Sequence, residues 1–474
     1  MERLTVEPAA RGGLFPSPVA QPGAAPPRAA EPDLAPRSLV AGRRRIRWWM
    51  VLFFLLGVLA SAGVVVSLFS PLGRRPADFG STAIPPVDSR AFLSALAGSV
   101  NGPIRQGGSA RVLHNGDEIV PALLRDLAAA RRTINFMVYI WEPGRLADTL
   151  VAALGAQARR GVEVRVLFDG LGAMNFPDST RARLRAAGVR TAVVRPLRFG
   201  ELTRFHKRNH RRAIVIDGAV GYTGGLSVAD QWLGDARNPE QWRDEMYRVT
   251  GPLAASLQAA FAGLWTDVSG EVLVGEAFYP PDPPAAGAGT PISWHVNLVS
   301  SPSADEHPLR IWFWQSFMSA RRRLWVATPY FATDRHLREA LMRRARAGVD
   351  VRLLLPGRHT DVPAVRLAAH YHYEELLRAG VRIYEYQPTL LHSKRLTVDG
   401  QWSVVGSANL DIRSQELNDE NVLGILDASL ARALERTFLE DLERSREIRL
   451  EPWLRRGWTA RTLERGAVLF KEQM

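Results

Sequence analysis

The sequence predicts a duplicated α/β protein carried behind an N-terminal membrane-spanning helix. One phrase, His-x-(basic)-x4-Asp, occurs twice: as His210, Arg212 and Asp217, and again as His392, Lys394 and Asp399. Each copy follows the same order of elements: apolar strand, amphipathic helix, glycine, second strand. Ahead of both lies a charge-free run, Trp48 to Phe69, of about 22 residues, enough to cross a bilayer as one helix.

Residues 1–45 are rich in Ala and Pro, and Pro16, Pro18, Pro22, Pro26 and Pro27 break any regular element, so a disordered tail is expected. Arg43, Arg44, Arg45 and Arg47 then form a basic collar. The membrane helix is placed at 46–70, with Trp48 and Trp49 where an interfacial aromatic belt would lie. A cleaved signal peptide fits less well, because the run starts late and is long. Four arginines before the span outweigh Arg74 and Arg75 after it. The positive-inside rule therefore leans toward a single-pass protein of a bacterial-type cell membrane with its catalytic part extracytoplasmic, the cytoplasmic side staying open. Residues 71–107 read as a polar linker.

The first domain is expected over 108–275. Its strand Ile134–Ile140 precedes an amphipathic run through Ala147, Leu150, Leu154 and Ala158, which Gly161 stops before the strand Val162–Phe168. The second domain, 301–474, repeats this with Leu324–Thr328, then Leu337, Leu341 and Ala345, Gly348, and Val349–Leu355. The Pro/Gly-rich stretch Tyr279–Pro291 marks the boundary, within a linker at 276–300.

At 474 residues the chain exceeds one ordinary domain, and 46% hydrophobic content suffices for two cores. The net charge of +13 favours anionic partners, phospholipid headgroups or nucleic acid, although an arginine-rich composition alone also accounts for it. With no cysteine, disulfides, a thiolate nucleophile and cysteine-ligated metals are excluded. His359, His370 and His372 lack tight metal-ligand spacing with carboxylates, so neither metal nor cofactor is expected.

The repeated phrase carries the parts for attack on a phosphodiester. In an extended segment, side chains two apart share a face, which sets His210 with Arg212 and His392 with Lys394. The cations would neutralise the phosphate and stabilise its equatorial oxygens. A small-residue cluster follows each phrase, Gly224-Gly225-Leu226-Ser227 and Gly406-Ser407-Ala408-Asn409, and Ser227 and Asn409 would add hydrogen bonds to the phosphate. One neutral imidazole can attack phosphorus, and the other, protonated, can supply the leaving alkoxide. An acidic group beside each ring would fix its tautomer. Two half-sites then make one site.

These residues resemble the phospholipase D superfamily, and within it the cardiolipin synthases. The likeness runs from about Val112 to the C-terminus. It is carried by His392, Lys394, Asp399, Gly406, Ser407 and Asn409, by Gly221-Tyr222-Thr223-Gly224-Gly225, by Gln241-Trp242-Arg243-Asp244, by Thr328-Pro329-Tyr330-Phe331 and by Asn409-Leu410-Asp411-Ile412-Arg413-Ser414. Leu417-Asn418-Asp419-Glu420 fits as well. The resemblance implies two α/β/α sandwich domains forming a pseudo-dimer. It also implies ping-pong chemistry through a phosphohistidine, with His210 as nucleophile, His392 as acid and base, and Asp217 and Asp399 orienting or structural. The expected function is a phosphatidyltransferase acting on phosphatidylglycerol to make cardiolipin, with membrane phospholipids as partners and neither nucleic acid nor an obligate protein partner. The alternatives are a phospholipase D-type hydrolase, a nuclease, and a weakly active homologue that binds anionic lipid. The sequence departs from the family at Arg212, where lysine is usual, at Ser227, where asparagine is usual, and in having one span where many relatives have two.

Overall fold

The computed structural model describes residues 48–69, 79–80, 83–196, 206–281, 293–302 and 307–468. The N-terminal tail and most of the Tyr279–Pro291 boundary lie outside these residues.

Trp48–Phe69 forms one helix of 22 residues. Side-chain surroundings are described only in its N-terminal part, and among the described residues no helix is long and apolar enough to cross a membrane. The helix expected from sequence is present; its role as a membrane span is not shown.

The first half builds a seven-stranded sheet in the order Ser109–His114, Glu245–Thr250, Val220–Gly224, Ala213–Ile216, Thr133–Met137, Glu163–Asp169, Arg190–Val194. The second half repeats the last six of these strands in the same order: Asn418–Leu426, Trp402–Gly406, Arg395–Val398, Arg323–Ala327, Asp350–Pro356, Arg382–Tyr386. The last three strands of each set run parallel, and the strand after each catalytic phrase joins them antiparallel. The chain is thus a mixed α/β fold duplicated in sequence and in topology.

The periodicity of the helices explains their seating. In Arg145–Arg159, Ala147, Leu150 and Leu154 are buried against the first sheet, and Gly161 at φ +92° ends the run. In Arg335–Arg346, Leu337 and Leu341 do the same for the second sheet, with Gly348 at φ +85°. The other faces of the two sheets meet. Val215, Tyr247 and Val249 share a core with Leu257 and Phe261 of helix Pro252–Ser269 and with Val405, Leu423 and Ile425 of the second half. A buried charge network also joins the halves: Arg243 Nε donates to Asp441 at 2.9 Å, its Nη2 donates to Glu245 at 3.1 Å, and Arg395 bonds both carboxylates.

Both stretches read as linkers contribute ordered elements. Arg90–Ser99 is a helix that buries Phe92, Leu93 and Leu96, and Phe92 meets the Trp402 ring edge-on at 5.2 Å. Ile104–Gln106 pairs with Trp294–Ser300, which in turn pairs with Asn418–Leu426 in the second sheet. The polar composition of 71–107 hid a short apolar face that the second core takes up.

Candidate active site

Each catalytic phrase precedes a short buried strand that leads into a tight hairpin. The hairpin turns are Asp217-Gly218 and Asp399-Gly400, all with positive φ (52°, 64°, 56° and 70°), closed by Ala219 N–H to Ile216 O at 3.0 Å and Gln401 N–H to Val398 O at 3.1 Å. Asp-Gly supplies two positive-φ positions of each three-residue turn, between the paired ends Ile216 and Val220 and between Val398 and Trp402. The Asp217 carboxylate accepts backbone N–H groups from Arg131, Arg132 and Thr133 at 2.7–2.9 Å. Asp399 accepts those of Arg321, Arg322 and Arg323 at 2.7–2.9 Å. The two motif aspartates therefore pin the start of the neighbouring strand and make no contact with the histidines. Of the orienting or structural roles that the resemblance implies for them, their contacts are those with the frame.

The carboxylates at the histidines come from elsewhere, and each comes from the opposite half. His210 Nδ1 lies 2.8 Å from Glu420 Oε1, and His392 Nδ1 lies 2.7 Å from Asp244 Oδ2. The exchange is repeated in the backbone: His210 N–H donates to Asp419 O at 3.0 Å, and His392 N–H donates to Arg243 O at 2.7 Å. Strand register makes Asp244 and Glu420 equivalent, since Gly224 pairs with Met246 and Gly406 with Val422, two residues beyond each acid. The small-residue clusters are matched to these acids. A Cβ on Gly225 would run into the Asp244 carboxylate, whereas Ser407, at the same place in the second half, bonds Glu420 through its hydroxyl.

The basic residues of the phrases also correspond. Arg212 Nη1 donates to His210 O at 2.6 Å, and Lys394 Nζ donates to His392 O at 2.8 Å while lying 3.1 Å from both ring nitrogens of His392. Ser227 is fully buried behind Arg212. Its Oγ accepts the Ile140 N–H at 3.3 Å and the Arg212 Nη2 at 3.4 Å, so it steadies the guanidinium rather than reaching the substrate space as expected. Asn409 lines the cavity, and its Oδ1 is buried with no hydrogen-bond partner.

His210, Arg212, His392 and Asn409 line one cavity of about 220 Å³, together with Tyr139, Trp242 and Tyr330. Tyr330 is on its wall, its hydroxyl 2.6 Å from Asp361, while Phe331 is packed in the core. The Tyr139 ring packs edge-on against His210 at 5.3 Å, and the Trp232 and Trp242 rings pack at 5.3 Å from His392. Away from the site, His370 pairs with Glu385 at 2.8 Å and His372 with Glu375 at 2.9 Å.

Burial sets the protonation states. It holds the His210 imidazole well below its ordinary value, with Arg212 and Lys394 pushing the same way. It pushes the Glu420 carboxyl up to about 8. His392 is lowered to about 4 by burial and by Lys394, against the pull of Asp244. Lys394 falls to about 7 by burial. Burial would raise Asp244 too, but His392 and Lys394 beside it hold its carboxyl below the usual range. With Nδ1 of each ring beside a carboxyl group, Nε2 of His210 is left for the substrate, while Nε2 of His392 lies 3.1 Å from Lys394 Nζ.

A family model described as "Cardiolipin synthase, PLD-like domain" matches residues 123–265 and 313–442, one match per half. The chain is 35% identical to cardiolipin synthase from Geobacillus kaustophilus (76% of this chain, 72% of that protein) and 34% identical to cardiolipin synthase A from Cronobacter sakazakii (76% and 74%). It is 32% identical to the probable cardiolipin synthase YwiE of Bacillus subtilis (76% and 71%). Phosphatidylserine synthase from Haemophilus influenzae shares the fold, with a TM-score of 0.63 over 81% of this chain and 100% of that one, at 15% identity. Two matched halves, and identity of this order over three quarters of the chain, place the protein in the cardiolipin synthase family of the phospholipase D superfamily, as a phosphatidyltransferase enzyme.

Proposed function

We propose that the protein transfers a phosphatidyl group from phosphatidylglycerol to the headgroup hydroxyl of a second phospholipid, through a phosphohistidine on His210. The observation that carries this reading is the crossed pair of histidine–carboxylate contacts around one cavity, with Arg212 on its wall and Lys394 beside the His392 ring. In the first half-reaction, His210 Nε2 attacks phosphorus and a P–N bond forms. The P–O bond to the departing glycerol breaks, and His392 gives that oxygen a proton. In the second, the acceptor hydroxyl returns a proton to His392, its oxygen bonds phosphorus, and the P–N bond breaks. Glu420, once ionised, supports the positive charge that develops on His210, and the ionised Asp244 does so for His392. Arg212 and Lys394 balance the phosphate, whose negative charge in turn favours the protonated form of His392.

The helix Trp48–Phe69 is taken as the membrane anchor. The support for this is its sequence, WWMVLFFLLGVLASAGVVVSLF, which carries no charged residue. Phe53 and Phe54 are 65% and 70% exposed, as suits side chains that meet lipid. An anchor keeps the cavity beside a substrate that never leaves the bilayer.

The test uses membranes holding the full chain and phosphatidylglycerol labelled in its glycerol headgroup. Cardiolipin with release of labelled glycerol supports the transferase; phosphatidic acid alone would make the protein a hydrolase. His210→Ala and His392→Ala are each expected to cut turnover by on the order of 10²–10⁴-fold or more. Variants as fast as the parent would end the shared-site reading.

A further inference from the structure

The cavity holds more recognition chemistry than one phosphate needs. Besides the four residues of the reacting centre, Arg413 and Asn418 line it, both from the segment after the second small-residue cluster. Arg413 opens a single π-helical turn, Arg413–Leu417, a geometry concentrated at functional sites. Its Nη2 donates to the His206 carbonyl at 2.9 Å, and it pairs with no carboxylate among the described residues. Asp411, two residues earlier, is occupied with the Ser414 N–H at 2.7 Å. Asn418 is 7% exposed, and its Oδ1 is buried with no hydrogen-bond partner. A buried unpartnered acceptor is costly unless a ligand completes it, and the half-buried Arg413 guanidinium lines the same cavity.

We propose that Arg413 and Asn418 form a second subsite, in which Arg413 holds the phosphate of the acceptor phospholipid and Asn418 accepts a hydrogen bond from the acceptor's secondary hydroxyl. A phosphatidylglycerol acceptor carries those two groups in order along its headgroup, ahead of the primary hydroxyl that attacks. Water and simple alcohols carry neither. The subsite would favour a phosphorylated acceptor over water in a cavity whose reacting groups serve both. This inference rests on the transferase reading above and names the feature that would decide between transfer and hydrolysis.

The experiment is a competition. The full-length enzyme in vesicles of phosphatidylglycerol receives 1-butanol as a neutral acceptor, and the ratio of cardiolipin to phosphatidylbutanol is measured. Arg413→Gln is expected to lower that ratio about tenfold, the effect of one charge-assisted hydrogen bond, and Arg413→Lys to restore much of it. A purely structural role for Arg413 would slow both products together, and a ratio within twofold of wild type overturns the subsite. Should Arg413→Gln fail to fold, Asn418→Asp, which sets a carboxylate against the incoming phosphate, is expected to lower the ratio likewise, and an unchanged ratio there is equally fatal. A wild-type enzyme that yields only phosphatidic acid sinks the transferase reading itself. Cardiolipin from wild type with an unmoved ratio in the variants sinks the subsite alone.

Discussion

Replacing Arg212 by lysine restores the family's usual residue and separates two contributions of the guanidinium, its charge and its fork. The second half shows what a lysine does in this setting. Lys394 Nζ bonds the carbonyl of its own histidine at 2.8 Å, as Arg212 Nη1 does at 2.6 Å. The further bond from Arg212 to Ser227, at 3.4 Å, is long and weak. Losing it should cost about 1 kcal/mol, or roughly fivefold in kcat/KM near pH 6.5. The larger effect lies in pH dependence. Burial brings Lys394 down to about 7, whereas arginine stays charged throughout. A lysine at 212 meets the same burial and the same neighbouring cation, so it should also titrate near neutrality. Above that value each titrating lysine loses about tenfold in its protonated form per pH unit. The log of kcat/KM from pH 8 to 9.5 should then fall more steeply in Arg212→Lys than in wild type, by about one further decade per unit. The assay is transfer to phosphatidylglycerol in mixed micelles at fixed ionic strength. Parallel profiles would refute the charge argument, and a variant inactive even at pH 6 would show that the fork, not the charge, is what the site needs.

Asp399→Asn should weaken the frame before it weakens the chemistry, since it thins the bracket on three backbone N–H groups. A loss of about 2–4 kcal/mol in urea-unfolding stability is expected, with kcat of the folded fraction largely kept; a stable protein with abolished kcat would contradict the structural role. Glu420→Gln should reverse its effect on stability with pH. The Glu420 carboxyl is raised to about 8 from its ordinary value of 4.5, so its favourable contribution is complete below about 4.5 and is lost as pH rises through about 8. The variant should gain on wild type in unfolding midpoint between pH 5 and 9, while turnover falls because the carboxyl that supports His210 once ionised is gone; a constant midpoint difference would refute the burial argument. Asp244→Asn should impair the protonated form of His392, so transfer from a substrate with a more acidic leaving group, such as a p-nitrophenyl phosphodiester, should fall much less than transfer from phosphatidylglycerol. Equal losses on both would place Asp244 outside proton transfer.

The fold was legible because duplication shows in one-dimensional order. Helix, glycine and strand recur with Gly161 and Gly348 in matching places, and both glycines take the positive φ that ends a helix. His210, Arg212, His392 and Asn409, which line one cavity, could be singled out because the sequence repeats one compact phrase followed by a small-residue cluster. What escaped were the contacts of residues whose partners lie far along the chain. Asp217 and Asp399 sit in the phrase but face the backbone of a neighbouring strand, a geometry that adjacency in sequence does not reveal. The working acids lie in Gln241-Trp242-Arg243-Asp244 and Leu417-Asn418-Asp419-Glu420, both visible as family stretches, yet their shared Asp-Glu dipeptide misleads. Aligning Asp244-Glu245 with Asp419-Glu420 pairs the wrong residues, and only strand register sets Asp244 against Glu420. The linker reading failed for a simpler reason: a ten-residue helix with one apolar face is too short to stand out in polar surroundings.

The crossed pairing also explains how an asymmetric sequence can make one site. Neither half completes its own catalytic histidine, because the acid and the backbone carbonyl that hold His210 come from the second half and those that hold His392 come from the first. Divergence between the halves is then free to proceed position by position, provided each change is answered across the interface. Glycine at 225 admits the short Asp244 beside the lysine half-site, and serine at 407 bonds the longer Glu420 beside the arginine half-site. The two acids end in different states: Asp244 is held ionised by His392 and Lys394, and Glu420 is driven toward its neutral form by burial. Two rings in unlike environments are what a ping-pong reaction requires, since one must keep a lone pair for phosphorus while the other carries a proton to and from oxygen.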